Sequence, residues 1–214
     1  MLEIIKKIFK NTESKTIEPN IYERIDEMFD SLDADIITVF IGEDLVPFGV
    51  DIINTISEYR EELKDLNGFI LPPVHVLDKS DLQENQILAL VRGKKVIEKY
   101  VIPTRKEVKK ETIDMMKYIY NRHLDQIFTY QMTEKYVNFV QKNQPWTAWN
   151  ITSMYSITDI RYVLKNLLEE NRSIKDINYV FEKFADCALE SGCYSYTSPT
   201  RIVKKLAREL ESCE

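Results

Sequence analysis

The sequence predicts an α+β protein: a small α/β sheet subdomain, ordered strand, helix and three more strands, followed by an all-helical bundle. After residue 35 a short run of β-branched and aromatic residues is followed by one helical stretch, and from Ile70 to Pro103 apolar residues recur with period two. Beyond Pro103 the period becomes that of a helix and stays so. A chain of 214 residues, 44% of them hydrophobic, can also bury a sizeable core. The expected division is N-terminal helices and linker over 1–34, an α/β subdomain over 35–105, a helical subdomain over 106–195 and a C-terminal helix over 196–214.

Taken in order, "MLEIIKKIFK" spaces Leu2, Ile5, Ile8 and Phe9 as a helix does, and reads as a short helix docked on the body ahead of an interfacial membrane anchor. The polar "KNTESKTIEPN" is a linker, and "IYERIDEMFDSL" puts Ile21, Ile25, Met28, Phe29 and Leu32 on one helical face. "ADIITVFIGEDLVPFGVD" reads as a buried strand broken by a turn at Gly42, Glu43 and Asp44. Asp51 then stands where a cap would open a helix with the face Ile52, Ile53, Ile56, Tyr59, Leu63 and Leu66, which Gly68 ends. Three strands follow, "ILPPVHVL", "QILALVRG" and "KKVIEKYVI", with a hairpin at Gly93-Lys94 between the last two. Pro72 and Pro73 cannot donate to a ladder, so their strand belongs at a sheet edge or begins beside them.

After Pro103 one long helix carries Val108, Thr112, Met115, Ile119, His123 and Ile127 as a stripe, flanked by Met116, Tyr120, Leu124 and Phe128. "TEKYVNFVQK" follows behind a Thr133 cap. "SITD" at 156–159 and "SIKD" at 173–176 have the spacing of capping boxes and open helices over 157–171 and 174–190. A last helix runs from Thr200 to Glu211.

Composition narrows the function. A net charge of -6 offers no positive field to nucleic acid or anionic lipid. No apolar run approaches the roughly 20 residues of a membrane helix, and the N-terminus lacks a signal peptide's long apolar region and cleavage site. Three cysteines crowded into the last thirty residues make no disulfide framework, which fits a reducing, cytoplasmic location. The two histidines, His75 and His123, would need the fold to bring them together before they could hold a metal or relay a proton. Cys187 and Cys193 lack the CxxC spacing of a zinc site. There is no glycine-rich phosphate loop and no GxSxG signature, so no catalytic, cofactor or metal residue is assigned, no small-molecule substrate is expected, and the protein reads as a non-enzyme.

The aromatic residues remain. Trp146 and Trp149 lie in the loop-like "NQPWTAWN", Tyr194 and Tyr196 in "GCYSYTSP". Exposed rings there would anchor a protein interface; the competing reading has them filling gaps between helices.

Four blocks in fixed order carry a resemblance: "DIITVFIGEDLVPFGVD", then "LNGFILPPVHVLD" with "LQENQILALVRGKKV", then "NRHLDQIFTYQMTEKYVNFV", then "YSITDIRYVLKNLLEENRSIKDINYVFEKFADCA". Over about residues 35 to 210 the chain resembles the cytoplasmic domain of the FHIPEP family, the FlhA-like export-gate proteins of bacterial flagellar and virulence type III secretion. The resemblance implies a protein-binding platform that receives export components, chaperones or exported substrates and forms a ring in its relatives, so a homo-oligomer is implied too. The same ancestry recruited as a regulatory interaction module outside secretion is the alternative.

The departures from the family are specific. The family's membrane domain is absent, and its small inserted subdomain is replaced by "TRKEVKK". The family's Asp-Pro-Ala-Phe segment, which lines a chaperone-docking dimple, falls in that missing piece, and the dimple's threonine aligns with Asp114. Asp114 therefore joins the candidate binding residues through the resemblance. The family's last α/β subdomain has no counterpart before Glu214. The initial Met and amphipathic start favour a complete product over a fragment.

Overall fold

The computed structural model describes residues 36–188 and 196–211. The sheet comes first: β1 (Ile37–Ile41), a 3-10 helix (Glu43–Phe48), α1 (Gly49–Asn67), β2 (Val74–Asp78), β3 (Gln86–Val91) and β4 (Lys94–Tyr100). Six helices follow: α2 (Arg105–Ile127), α3 (Tyr130–Asn143), α4 (Pro145–Thr152), α5 (Ile157–Glu169), α6 (Ile177–Ala188) and α7 (Pro199–Glu211). The α+β expectation holds, strand–helix–three strands and then helices. The helical segments expected within residues 1–34 lie outside the described residues.

The sheet order is β2-β1-β3-β4, with β1 parallel to β2 and antiparallel to β3, and β3 antiparallel to β4. A parallel neighbour requires a crossover, and α1 provides it between β1 and β2. β2 is an edge strand that starts one residue after Pro73, so the proline pair stands where its missing amide protons cost no ladder bond. The β3–β4 hairpin turns through Arg92 and Gly93, both at positive φ (50° and 74°), the backbone of a type I′ turn. Ile37, Val39 and Ile41, with Ile87, Ala89 and Val91, point to one face and are buried against α1 and α2.

Several local expectations are corrected. Asp51 does not cap α1: the 3-10 helix runs directly into it, with the Gly49 amide bonded to the Val46 carbonyl, and no turn is left open for a side chain. Asp51 instead accepts from Arg105 at 3.0 Å, tying α1 to the start of α2. Ile53 and Leu66 lie on the exposed side of α1, and Thr55 and Asn67 take inward positions. The α3 cap is Thr129, whose hydroxyl accepts from the Met132 amide at 3.1 Å; Thr133 sits within the helix with its hydroxyl on the Thr129 carbonyl. The Ser156–Asp159 capping box is present as expected. In "SIKD" the cap is Asp176, accepting from the Tyr179 amide at 3.0 Å, and α6 begins at Ile177.

The sheet and the helices meet at Asn67-Gly68-Phe69. Gly68 ends α1 in the left-handed region (φ 75°), and a Cβ there would stand 2.3 Å from the Lys175 Cα and 2.4 Å from its amide nitrogen. The Ile174 amide donates to the Asn67 carbonyl (2.8 Å), Tyr136 donates to the Gly68 carbonyl (2.9 Å), and the Asn67 amide group donates to the Tyr120 hydroxyl (2.7 Å). The Phe69 ring lies between Tyr120 (5.5 Å) and Phe128 (5.9 Å), and Phe128 stacks on Tyr136 (6.1 Å). Burial holds the hydroxyls of Tyr136 and Tyr120 above the ordinary phenol value, so both remain neutral donors and acceptors in this wall.

A second link is ionic. Lys99 on β4 meets Glu111 on α2 at 2.9 Å, and this hydrogen bond holds the Glu111 carboxyl below its ordinary 4.5. A carboxyl lowered on folding adds stability above its unfolded value and loses it as pH falls through the folded one. Urea midpoints of the parent and Glu111→Gln should therefore differ modestly at neutral pH and converge in acid. A gap that persists unchanged below the lowered value would refute the pairing.

Candidate protein-binding surface

α4 is an eight-residue helix, and the expected loop around the tryptophans is corrected accordingly. Pro145 occupies its first turn, where a missing amide proton costs nothing. Ala148 and Ile151 turn inward and are buried. Trp146 and Trp149, three apart, then share the outward face at 79% and 59% exposure, with rings edge-to-face at 6.4 Å. These rings do not plug gaps between helices. Beside them the Gln144 side chain donates to Glu182 on α6.

Tyr196 is also exposed, yet it is held. Its ring stacks on Tyr155 at 5.3 Å and its hydroxyl donates to Asp159 at 3.4 Å. Desolvation and the nearby Asp159 charge push its hydroxyl above the ordinary value. Tyr155 in turn packs on Phe184 (4.9 Å) and exchanges hydrogen bonds with the Thr197 backbone, so Tyr196 belongs to the fastening that leads the chain into α7. Tyr194 lies outside the described residues. Asp114 is exposed on α2, and no described contact joins it to the rings. The tryptophans and Tyr196 form two separate pairs.

The polar residues weighed for chemistry are apart. His75 is exposed on β2. His123 sits at a kink inside α2 (φ -127°, ψ 21°), with Gln126 3.3 Å from its Nδ1 and the Tyr118 ring 5.8 Å away. Cys187 is buried with its thiol 3.8 Å from Glu209. Among the described residues no group of three His, Cys, Asp or Glu side chains could hold a metal ion, and no helix is long and apolar enough to cross a membrane.

Two residues that periodicity does not single out shape this half. Arg161 on α5 donates to the carbonyls of Phe128 (2.7 Å) and Asp125, and Arg92 from the hairpin donates to the Gln126 carbonyl (2.8 Å). Together they satisfy the carbonyls at the end of α2, past the kink. A lone arginine pattern carries no sequence signal for such a role.

The four-stranded mixed sheet and the helical bundle it leads into have counterparts among solved structures of other proteins. The chain superposes on CdsV of Chlamydia pneumoniae with a TM-score of 0.69 at 15% identity, covering 82% of this chain and 65% of that one. It superposes on MxiA of Shigella flexneri with 0.66 at 16% identity (85% and 65%), and on the nonameric SctV-C of EPEC with 0.66 at 13% identity (82% and 65%). The chain thus spans a little less than two thirds of the length of these relatives. No curated protein matches it in sequence.

The family model of FHIPEP matches residues 107–210, and the resemblance carried by the four sequence blocks is borne out. The matched segment begins inside α2 and ends inside α7. The structural matches reach further, into the sheet. Only Val101 to Thr104 join β4 to α2, so the family's inserted subdomain has no place between them here.

Proposed function

We propose that this chain is a non-enzymatic protein-binding platform of the export-gate type, which receives export components, chaperones or exported proteins. The fold shared with export-gate cytosolic domains over 82% of the chain carries this reading. Among the solved relatives, CdsV of Chlamydia pneumoniae forms a complex with CdsO, and SctV-C of EPEC is nonameric; both are protein-protein arrangements on this scaffold. On this chain the face to bind with is α4. Two adjacent, outward, rigid indoles are the side chains that supply most affinity per contact at protein interfaces.

The test is affinity capture of the full chain from its source cells, with partners identified by mass spectrometry. Recovery of type III export proteins or their chaperones is expected. Trp146→Ala/Trp149→Ala should keep the helical circular dichroism and thermal midpoint of the parent, because both rings are exposed, and lose that recovery by about tenfold or more, the loss expected for two interface anchors. Recovery of partners unrelated to export, lost in the same variant, would favour the alternative of a regulatory interaction module outside secretion. Unchanged recovery of export proteins in the variant would remove α4 from the binding surface.

A further inference from the structure

The sheet has a second face. His75 and Leu77 of β2, Thr38 and Phe40 of β1, and Leu88 and Leu90 of β3 alternate away from the buried set, and the registers align them in two rows: His75–Thr38–Leu90 and Leu77–Phe40–Leu88. Phe40, Leu88 and Leu90 are half-buried and stand outside the core cluster; Leu77 is 48% exposed. Strands that read as near-continuous apolar runs, as "ITVFI" and "QILALV" do, are those of sheets covered on both sides. The described helices that meet the strands are α1 and α2, and they belong with Ile37, Val39 and Ile41 on the opposite face.

We propose that residues 21–32 of this same chain form an amphipathic helix that covers this face. The chain itself puts them there. Ile36 opens directly into β1, and only residues 33–35 separate it from Leu32, a helix-to-strand connection within the usual two to six residues or so. Twelve helical residues span about 18 Å at roughly 1.5 Å each, against about 14 Å across four strands, so one such helix crosses the sheet. Its apolar stripe of Ile21, Ile25, Met28, Phe29 and Leu32 matches the two rows in kind. Glu23, Asp26, Glu27 and Asp30 outweigh Arg24 on the segment, and Lys79, 5.5 Å from the centre of the Phe40 ring, is the cation it would meet at the β2 edge; at the β4 edge Lys95, opposite Leu90, is paired with Glu98, opposite Leu88. The other face of the sheet is already occupied, which leaves a preceding helix this one.

A photoreactive benzoylphenylalanine in place of Leu77, in the full-length chain, tests this. Equal amounts of isotopically heavy and light protein are mixed, irradiated and digested. Cross-links from β2 to residues 21–32 within chains of a single isotopic class are expected. Mixed-class cross-links would show a second copy on the face, and the absence of any cross-link to 21–32 would show another occupant or none; either result overturns the proposal. In Ile25→Asp/Phe29→Asp the cross-link should be lost while the helical bundle keeps its circular dichroism. Undiminished cross-linking in that variant, or in the milder Phe29→Ser should the first not fold, overturns it as well.

Discussion

Gly68→Ala should cost about 3 kcal/mol or more of stability and lower the thermal midpoint by roughly 6–12 °C. Two effects add. A non-glycine residue at φ 75° pays for the left-handed backbone, and the new Cβ meets main-chain atoms of Lys175 at 2.3–2.4 Å, which no rotamer change can relieve. Either the α1 end or the loop before α6 must move, and both carry the hydrogen bonds of the joint. Differential scanning calorimetry reads the shift. A midpoint within about 2 °C of the parent, less than 1 kcal/mol for a chain of this size, would mean that the two halves do not lock at this residue.

Phe69→Ala should cost about 3–5 kcal/mol, the usual penalty for deleting a fully buried aromatic ring. The ring touches Tyr120 and Phe128, and its removal empties the space between α1, α2 and the segment that leads into β2. Tyr136→Phe is the matched comparison, because it keeps the stacked ring and removes only the donor to the Gly68 carbonyl, a loss of about 1–2 kcal/mol. Chemical denaturation of both variants checks the order. If Tyr136→Phe proved the more damaging, hydrogen bonding and not ring packing would hold the joint.

What the sequence made legible is what depends on local spacing. A β-branched and aromatic run located β1 and period-two runs the later strands, Pro72 and Pro73 marked β2 as an edge, Gly68 ended α1, and Ser156 with Asp159 opened α5. The misses arise where a distant part of the chain decides. Ser173 looked like a cap, and its hydroxyl does accept from the Lys175 amide, but this stretch is drawn across the joint by the Ile174 amide bond to the Asn67 carbonyl, and the helix opens at Asp176. Thr133 looked like a cap, but α2 ends at Ile127 and Thr129 is in position to open α3 four residues earlier.

Asp51 was displaced by a 3-10 helix whose sequence, with Pro47 inside it, reads as a turn. Ile53 and Leu66 fit a helical face in the sequence, yet α1 rests against the sheet and α2 on only part of its circumference. At the candidate surface the residue types were legible and the geometry was not. Pro145 at a first helical turn was the available sign that the tryptophans ride on a helix, and eight residues gave too short a period to read. The candidates also divided: the tryptophans are free-standing, whereas Tyr196 is fastened to Tyr155 and Asp159.

The joint also orders events at the ribosome. The Asp65 carbonyl at the end of α1 accepts from the Lys175 ammonium, a partner 110 residues further along the chain, and the neighbouring Asn67 carbonyl waits for Ile174. At a synthesis rate of about 5–20 residues per second, the end of α1 emerges roughly 5–20 s before the groups that close it. Throughout that interval the nascent chain has an open helix end, and for the first part of it, until Tyr120 and Phe128 follow, an uncovered Phe69 as well; it is then that a chaperone would find something to hold.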